Sequence, residues 1–138
     1  MKLVALPQSR EFARQLAEFG GFARVDVDYR EFPDGESYVR VDGEVEGEEV
    51  GIVASFHPPN DTLVGSMLLS ETLRDLGAER VGLVAPYLAY LRQDDRFKPG
   101  EGVSSRYIAE ILSGHFDWLA TVDPHLHRIP SLDDIYSI

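Results

Sequence analysis

Short apolar runs alternate with amphipathic stretches along the whole chain. Residues 2–6 (KLVAL) are an apolar run closed by Pro7 and predict a first strand. Residues 9–21 then set Phe12, Leu16 and Phe19 at helical spacing ahead of Gly20 and Gly21, which predicts a helix with a glycine stop. In 23–32 (ARVDVDYREF) apolar and polar positions alternate, so a half-exposed strand carries Val25, Val27 and Tyr29 on one face. Pro33-Asp34-Gly35 is a turn, because proline presets φ and glycine permits a positive one. The stretch 37–56 reads as a strand, a turn and a more fully buried strand at 50–56. A helix is predicted from Asn60 to Ala78, with Asn60 or Asp61 as N-cap, a stripe led by Leu63, Met67 and Leu68, and a stop at Gly77. RVGLVAPY (80–87) is a buried strand, LRQDDRFKPGEG (91–102) a polar loop, and VSSRYIAEILSG (103–114) a helix with Ser104 or Ser105 near its start. FDWLATVD (116–123) is a last strand, followed by a loop-like tail.

Strands alternating with helices imply an α/β fold: a mostly parallel sheet flanked by helices on both faces, with the antiparallel-looking 23–45 segment as a small flap. Such sheets bind ligands outside the carboxyl ends of their strands. Polar clusters fall at three of those ends: SFHPPND (55–61), PYLAYLRQDDRF (86–97) and DPHLH (123–127).

Composition narrows the classes. The 138 residues suit one domain, and 43% hydrophobic with 27% charged positions is globular composition. A net charge of −11 argues against a broad nucleic-acid-binding face, and no apolar run is long enough to span a membrane. The N-terminal apolar stretch is too short for a signal peptide. The absence of cysteine excludes disulfides and thiolate metal sites and fits a cytoplasmic protein. No glycine-rich P-loop, G-x-S-x-G or H-E-x-x-H occurs.

Three clusters carry chemistry. In Arg92-Gln93-Asp94-Asp95-Arg96, a guanidinium can fork onto phosphate oxygens or lie against a purine ring. Tyr87, Tyr90 and Phe97 beside it suit a nucleobase, whereas the plainer reading is a solvated loop whose arginines pair with its own aspartates. Asp123, His125 and His127 sit past a strand end, and the two imidazoles share a side only if the segment stays extended. They offer a divalent-ion site, or simply hydrogen-bonded loop histidines. Phe32, Asp34 and Glu36 mark a hairpin turn with a hydrophobic anchor. LDDIYSI at 132–138 has the two acids that open a phosphoribosyl-binding loop, but not its glycines or a preceding buried strand, and is read as a decoy.

In order, FPDGE, SFHPPNDTL, VAPYLAYLRQDDRFKPGEGVSSRYIAEIL and VDPHLHRI resemble the N-terminal half of the ribose-phosphate pyrophosphokinase (PRPP synthetase) family, over nearly the full 138 residues. The resemblance implies a phosphoribosyltransferase-like fold and an ATP-side domain of an enzyme that transfers pyrophosphate from MgATP to ribose 5-phosphate. It implies that Arg92 clamps adenine and phosphates, with Gln93 and Asp94 shaping the pocket. Phe32, Asp34 and Glu36 would come from a flap that reaches a neighbouring subunit's ATP site, in a homo-oligomer. His125 would meet Mg2+ and the ATP phosphates, with Asp123 in support. The family's ribose-5-phosphate loop, pyrophosphate loop and catalytic lysine belong to a second domain, and none of their motifs occurs in this sequence. The expectation is therefore an ATP-binding half with no catalytic residue of its own, inactive in isolation. The alternatives are a non-catalytic subunit of a synthetase assembly and a small free-standing nucleotide-binding module.

Overall fold

A computed structural model describes residues 1–138. Its strands are β1 (Lys2–Ala5), β2 (Ala23–Arg24), β3 (Asp26–Glu31), β4 (Ser37–Asp42), β5 (Glu49–Val53), β6 (Arg80–Ala85) and β7 (Trp118–Thr121). The helices are α1 (Arg10–Gly20), α2 (Pro59–Asp75) and α3 (Ser104–His115). Five strands form one sheet in the order β2-β1-β5-β6-β7, with every neighbouring pair parallel, and β3 and β4 form a separate antiparallel hairpin. The α/β reading holds, and the antiparallel flap expected over 23–45 is the Asp26–Asp42 hairpin, while Ala23–Arg24 instead pair with β1 in the main sheet.

The winding direction explains where the helices lie. From β1 the chain steps outward to β2, whereas β5, β6 and β7 step the other way. Right-handed crossovers then place α1 on one face and α2 and α3 on the opposite one. Alternation along the strands follows suit. Val4, Ile52, Val81 and Leu83 pack with Leu69 and Leu73 of α2 and Ala109 and Leu112 of α3. Leu3 and Val53 face the other way, against Ala13 and Ala17 of α1.

Two helices are turned differently from their predicted stripes. On α1 the alanines face the sheet, while Phe12 and Phe19 are 41% and 94% exposed. Alanine lets the helix backbone approach β1 more closely than the aromatic side chains would. On α2 the buried face is Thr62, Gly65, Ser66, Leu69, Ser70 and Leu73, and Leu68 points outward. That small-residue face accepts both the hairpin and the end of α3. Ser70 Oγ donates to the His115 carbonyl at 2.6 Å, and Arg74 reaches the same carbonyl and the Asp117 carboxylate. The N-cap of α2 is Pro58, with Pro59 in the first turn, where a missing N–H costs nothing.

The buried strand predicted at 50–56 leaves the ladder after Val53, although Ala54 and Phe56 stay fully buried. Their amides donate to the carbonyls of Val84 and Tyr87, so the chain is still anchored as it turns toward α2. The tail is more ordered than a loop. Ser131 caps a short 3-10 turn at Leu132–Asp134, and Tyr136 is buried in the main core. No helix is long and apolar enough to cross a membrane.

Candidate functional site

Residues 86–97 leave β6 as a loop anchored by its small and branched apolar side chains. Leu88, Ala89 and Leu91 are buried, while Tyr87 and Arg92 are exposed. Tyr90 takes a positive φ of 65°, and its hydroxyl donates to the Asn60 side chain at the start of α2. The loop is thus held from below by leucines and at its edge by α2.

Together with the loop after β7 this makes a cavity of about 540 Å3 at the carboxyl ends of β6 and β7. Tyr87, Tyr90, Arg92 and Gln93 line one side, Asp123 and His125 another, and Pro59 and Ser104 bring the beginnings of α2 and α3 to it. Gln93 is pinned to α3: its side-chain oxygen accepts from Ser104 Oγ at 3.0 Å, and its carbonyl accepts from the Ser105 amide. Ser104 was legible only as a helix start. Its actual role is this contact rather than a side-chain cap, which α3 lacks.

Arg92 stands in none of the chain's ion pairs, and neither does Arg96, so the loop's arginines do not neutralise its own aspartates. Asp94 turns away from the cavity. Its carboxylate, 2% exposed, accepts from Arg128 at 3.0 Å, and Arg128 also lies over the Phe97 ring at 4.9 Å. Phe97 therefore has a ring face occupied by a cation of the tail and does not line the cavity. Arg96 closes its own turn, donating from Nε to the Glu101 carbonyl, while the Glu101 carboxylate accepts the amides of Phe97 and Lys98.

Past β7, Asp123 has φ 46°, which swings the chain across the strand ends. The His125 and His127 rings meet edge-on with centroids 4.1 Å apart, so the i, i+2 pair does share a side. His125 faces the cavity and His127 does not line it.

Phe32, Asp34 and Glu36 sit together at the hairpin tip, apart from that cavity. Gly35 (φ 91°) makes the turn, the Glu36 amide donates to Asp34 Oδ1, and the Phe32 amide donates to the Glu36 carbonyl. Phe32 is 41% exposed and meets Tyr38 edge-on, with the Arg30 guanidinium 4.3 Å from the Tyr38 ring centre. The predicted residues thus form two groups, Arg92, Gln93, Asp123 and His125 in the strand-end cavity and Phe32, Asp34 and Glu36 on a projecting tip, while Asp94 joins neither and pairs with Arg128.

The chain matches, over residues 1–115, the family described as the N-terminal domain of ribose phosphate pyrophosphokinase. Among curated relatives named ribose-phosphate pyrophosphokinase, that of Saccharolobus solfataricus is 47% identical over 103 residues, covering 73% of this chain and 35% of the relative. That of Halobacterium salinarum is 42% identical over 123 residues, covering 89% of this chain and 43% of the relative. The crystal structure of phosphoribosylpyrophosphate synthetase from Mycobacterium smegmatis superposes with a TM-score of 0.85 at 27% identity, covering 99% of this chain and 45% of that one. The chain thus spans less than half the length of these relatives. It belongs to the ribose phosphate pyrophosphokinase family, as a representative of that family's N-terminal domain.

Proposed function

We propose that this chain is the ATP-binding half of a ribose-phosphate pyrophosphokinase. The observation that carries the reading is the convergence of Arg92, Gln93 and His125 on one strand-end cavity, with Arg92 unpaired inside its own chain. A guanidinium with no internal partner is available to a phosphate or a purine face. Tyr87 and Tyr90 add flat apolar surface beside it. A purely assembling subunit would leave that guanidinium without a use.

Asp123 and His125 suit Mg2+, because one hard carboxylate beside an imidazole at a cavity mouth leaves room for substrate phosphates and water. No cluster of three or more such side chains occurs, which is compatible with a metal held mainly through the nucleotide. When bound, Mg2+ would neutralise charge on the transferred phosphates. In the reaction proposed, the 1-hydroxyl oxygen of ribose 5-phosphate bonds to the β-phosphorus of ATP. The α,β-bridging oxygen leaves with AMP, and the hydroxyl proton is released. This chain's part is to hold the nucleotide in line, Arg92 at its phosphates and Gln93 fixing the loop that carries Arg92. The hairpin tip, with Phe32, Asp34 and Glu36, is proposed to complete the site of a neighbouring subunit in a homo-oligomer. Ribose 5-phosphate would be held by the portion of the enzyme that this chain does not match.

The test is AMP release from ATP dependent on ribose 5-phosphate. Fused to the unmatched remainder of the Halobacterium salinarum relative, the chain is expected to support it, and alone it is not. Activity of the 138-residue chain alone would overturn the half-enzyme reading. A folded fusion that binds ribose 5-phosphate but releases no AMP would overturn the assignment of the ATP site.

A further inference from the structure

Seven residues of the chain have a positive φ: five are glycines, and the other two are Tyr90 (φ 65°) and Asp123 (φ 46°). Both of these two line the strand-end cavity. Aspartate enters the left-handed region with little difficulty, whereas a tyrosine there is an outlier, because its β-carbon crowds the following carbonyl. Glycine would make the same turn without that penalty. The chain keeps a tyrosine at the turn, so its side chain must hold a conformation that the backbone disfavours. Strain of this kind collects at functional sites.

The holding contact is with α2. The Tyr90 hydroxyl donates to Asn60 Oδ1 in the first turn of that helix. Asn60 is available because Pro58 stands at the N-cap and no side chain caps the helix. The loop is fastened on either side of this point. The Tyr87 carbonyl accepts from the Phe56 amide, and Gln93 accepts from Ser104 Oγ and from the Ser105 amide. Arg92 lies between Tyr90 and Gln93 and enters no ion pair, while its neighbour Leu91 is 2% exposed. With Leu91 fixed inward, the turn at Tyr90 decides where the Arg92 guanidinium emerges.

We propose that Tyr90 and Asn60 are positioning residues: their bond holds the left-handed turn and so aims Arg92 at the phosphates of the nucleotide. The inference rests on the ATP-site reading and deepens it. Tyr90 then has two separable parts, a ring that lines the cavity and a hydroxyl that acts only through Arg92. Losing the bond removes the net contribution of one intramolecular hydrogen bond, which corresponds to about 3- to 10-fold in an equilibrium constant.

The test uses the 138-residue chain and MgATP, followed by NMR titration so that millimolar binding is still read. Tyr90→Phe keeps the ring and removes only the hydroxyl, and Asn60→Ala removes the acceptor. Each should weaken MgATP binding about 3- to 10-fold, and the double variant no more than either alone. In the Arg92→Ala background, Tyr90→Phe should change affinity less than about 2-fold, because aim matters only while the guanidinium is there. Exchange of the Ser105 amide, which donates to the Gln93 carbonyl, should quicken in both single variants. Asn60→Asp, which keeps an acceptor oxygen, should retain the wild-type exchange rate.

Unchanged MgATP affinity in Tyr90→Phe and Asn60→Ala would overturn the proposal, as would a merely structural bond that lowers the urea midpoint and nothing else. A loss that persists in full in the Arg92→Ala background would also overturn it, since the hydroxyl would then meet the nucleotide itself. Unaltered exchange at Ser105 would overturn it whatever the nucleotide does. Absence of MgATP binding by the wild-type chain would overturn the ATP-site reading instead, and quickened exchange in the same samples would still support the hold of Asn60 and Tyr90 on the loop.

Discussion

The hydroxyl of Tyr29, on the hairpin, lies directly over Gly65 of α2, where an added β-carbon would stand 2.6 Å from its oxygen. A hydrogen bond between the Tyr29 and Ser37 hydroxyls at 2.9 Å ties the two strands of the hairpin at the same place. The hairpin shares no ladder with the main sheet, so this seat on α2 sets where its tip projects.

Gly65→Ala is therefore expected to destabilise the fold by roughly 1–3 kcal/mol, the usual range for overpacking a close contact. Urea unfolding of the variant checks this, and Tyr29→Phe in the same background should recover part of the loss by removing the nearest atom. A neutral Gly65→Ala would mean that the hairpin is free to shift on the helix.

The Asp94–Arg128 pair is lopsided: the carboxylate is 2% exposed and the guanidinium 56%. Losing Arg128 leaves a buried acid without a partner, whereas losing Asp94 leaves an arginine that can turn to water. Arg128→Met should thus cost more than Asp94→Ala, with the excess on the order of the 1–3 kcal/mol paid by an unsatisfied buried group. Chemical denaturation of both variants and the double variant measures it. Equal losses would show that Asp94 has solvent access in solution.

Burial raises the Tyr136 phenol to about 12 from its ordinary value of 10.0. The folded state holds this proton more tightly than the unfolded one, so its contribution is fully present below about pH 10 and fades as pH climbs toward 12. Wild type should lose stability over that window relative to Tyr136→Phe, read by urea midpoints at stepped alkaline pH. Parallel curves for the two proteins would contradict the burial of the phenol.

How much of this was legible in the sequence depended on which force dominated locally. Residues 80–85 formed the predicted strand because a run of branched apolar residues buried on both faces has no competing period. The flap was legible for a similar reason, since Pro33-Asp34-Gly35 fixes a turn locally. The faces of α1 and α2 were not. There, small residues at Ala13, Ala17 and Gly65 were chosen by the neighbours they admit, and hydrophobic spacing weighs Phe12 and Leu68 more heavily than alanine. Of the residues lining the strand-end cavity, Arg92, Gln93, Asp123 and His125 were legible because they follow strand ends. The partner of Asp94 was not, because Arg128 is 34 residues away and only the tail's return along α3 brings it there.

The central claim is that the cavity beyond β6 and β7 holds ATP through Arg92, and titration calorimetry of the dilute 138-residue chain with MgATP tests it most directly. Saturable binding is expected, weakened at least about 10-fold by Arg92→Ala, the scale of one charge-assisted contact. Phe32→Ala should leave it unchanged, because the hairpin tip does not line its own chain's cavity. Binding that Arg92→Ala leaves intact, or no binding by the wild-type chain, would contradict the claim.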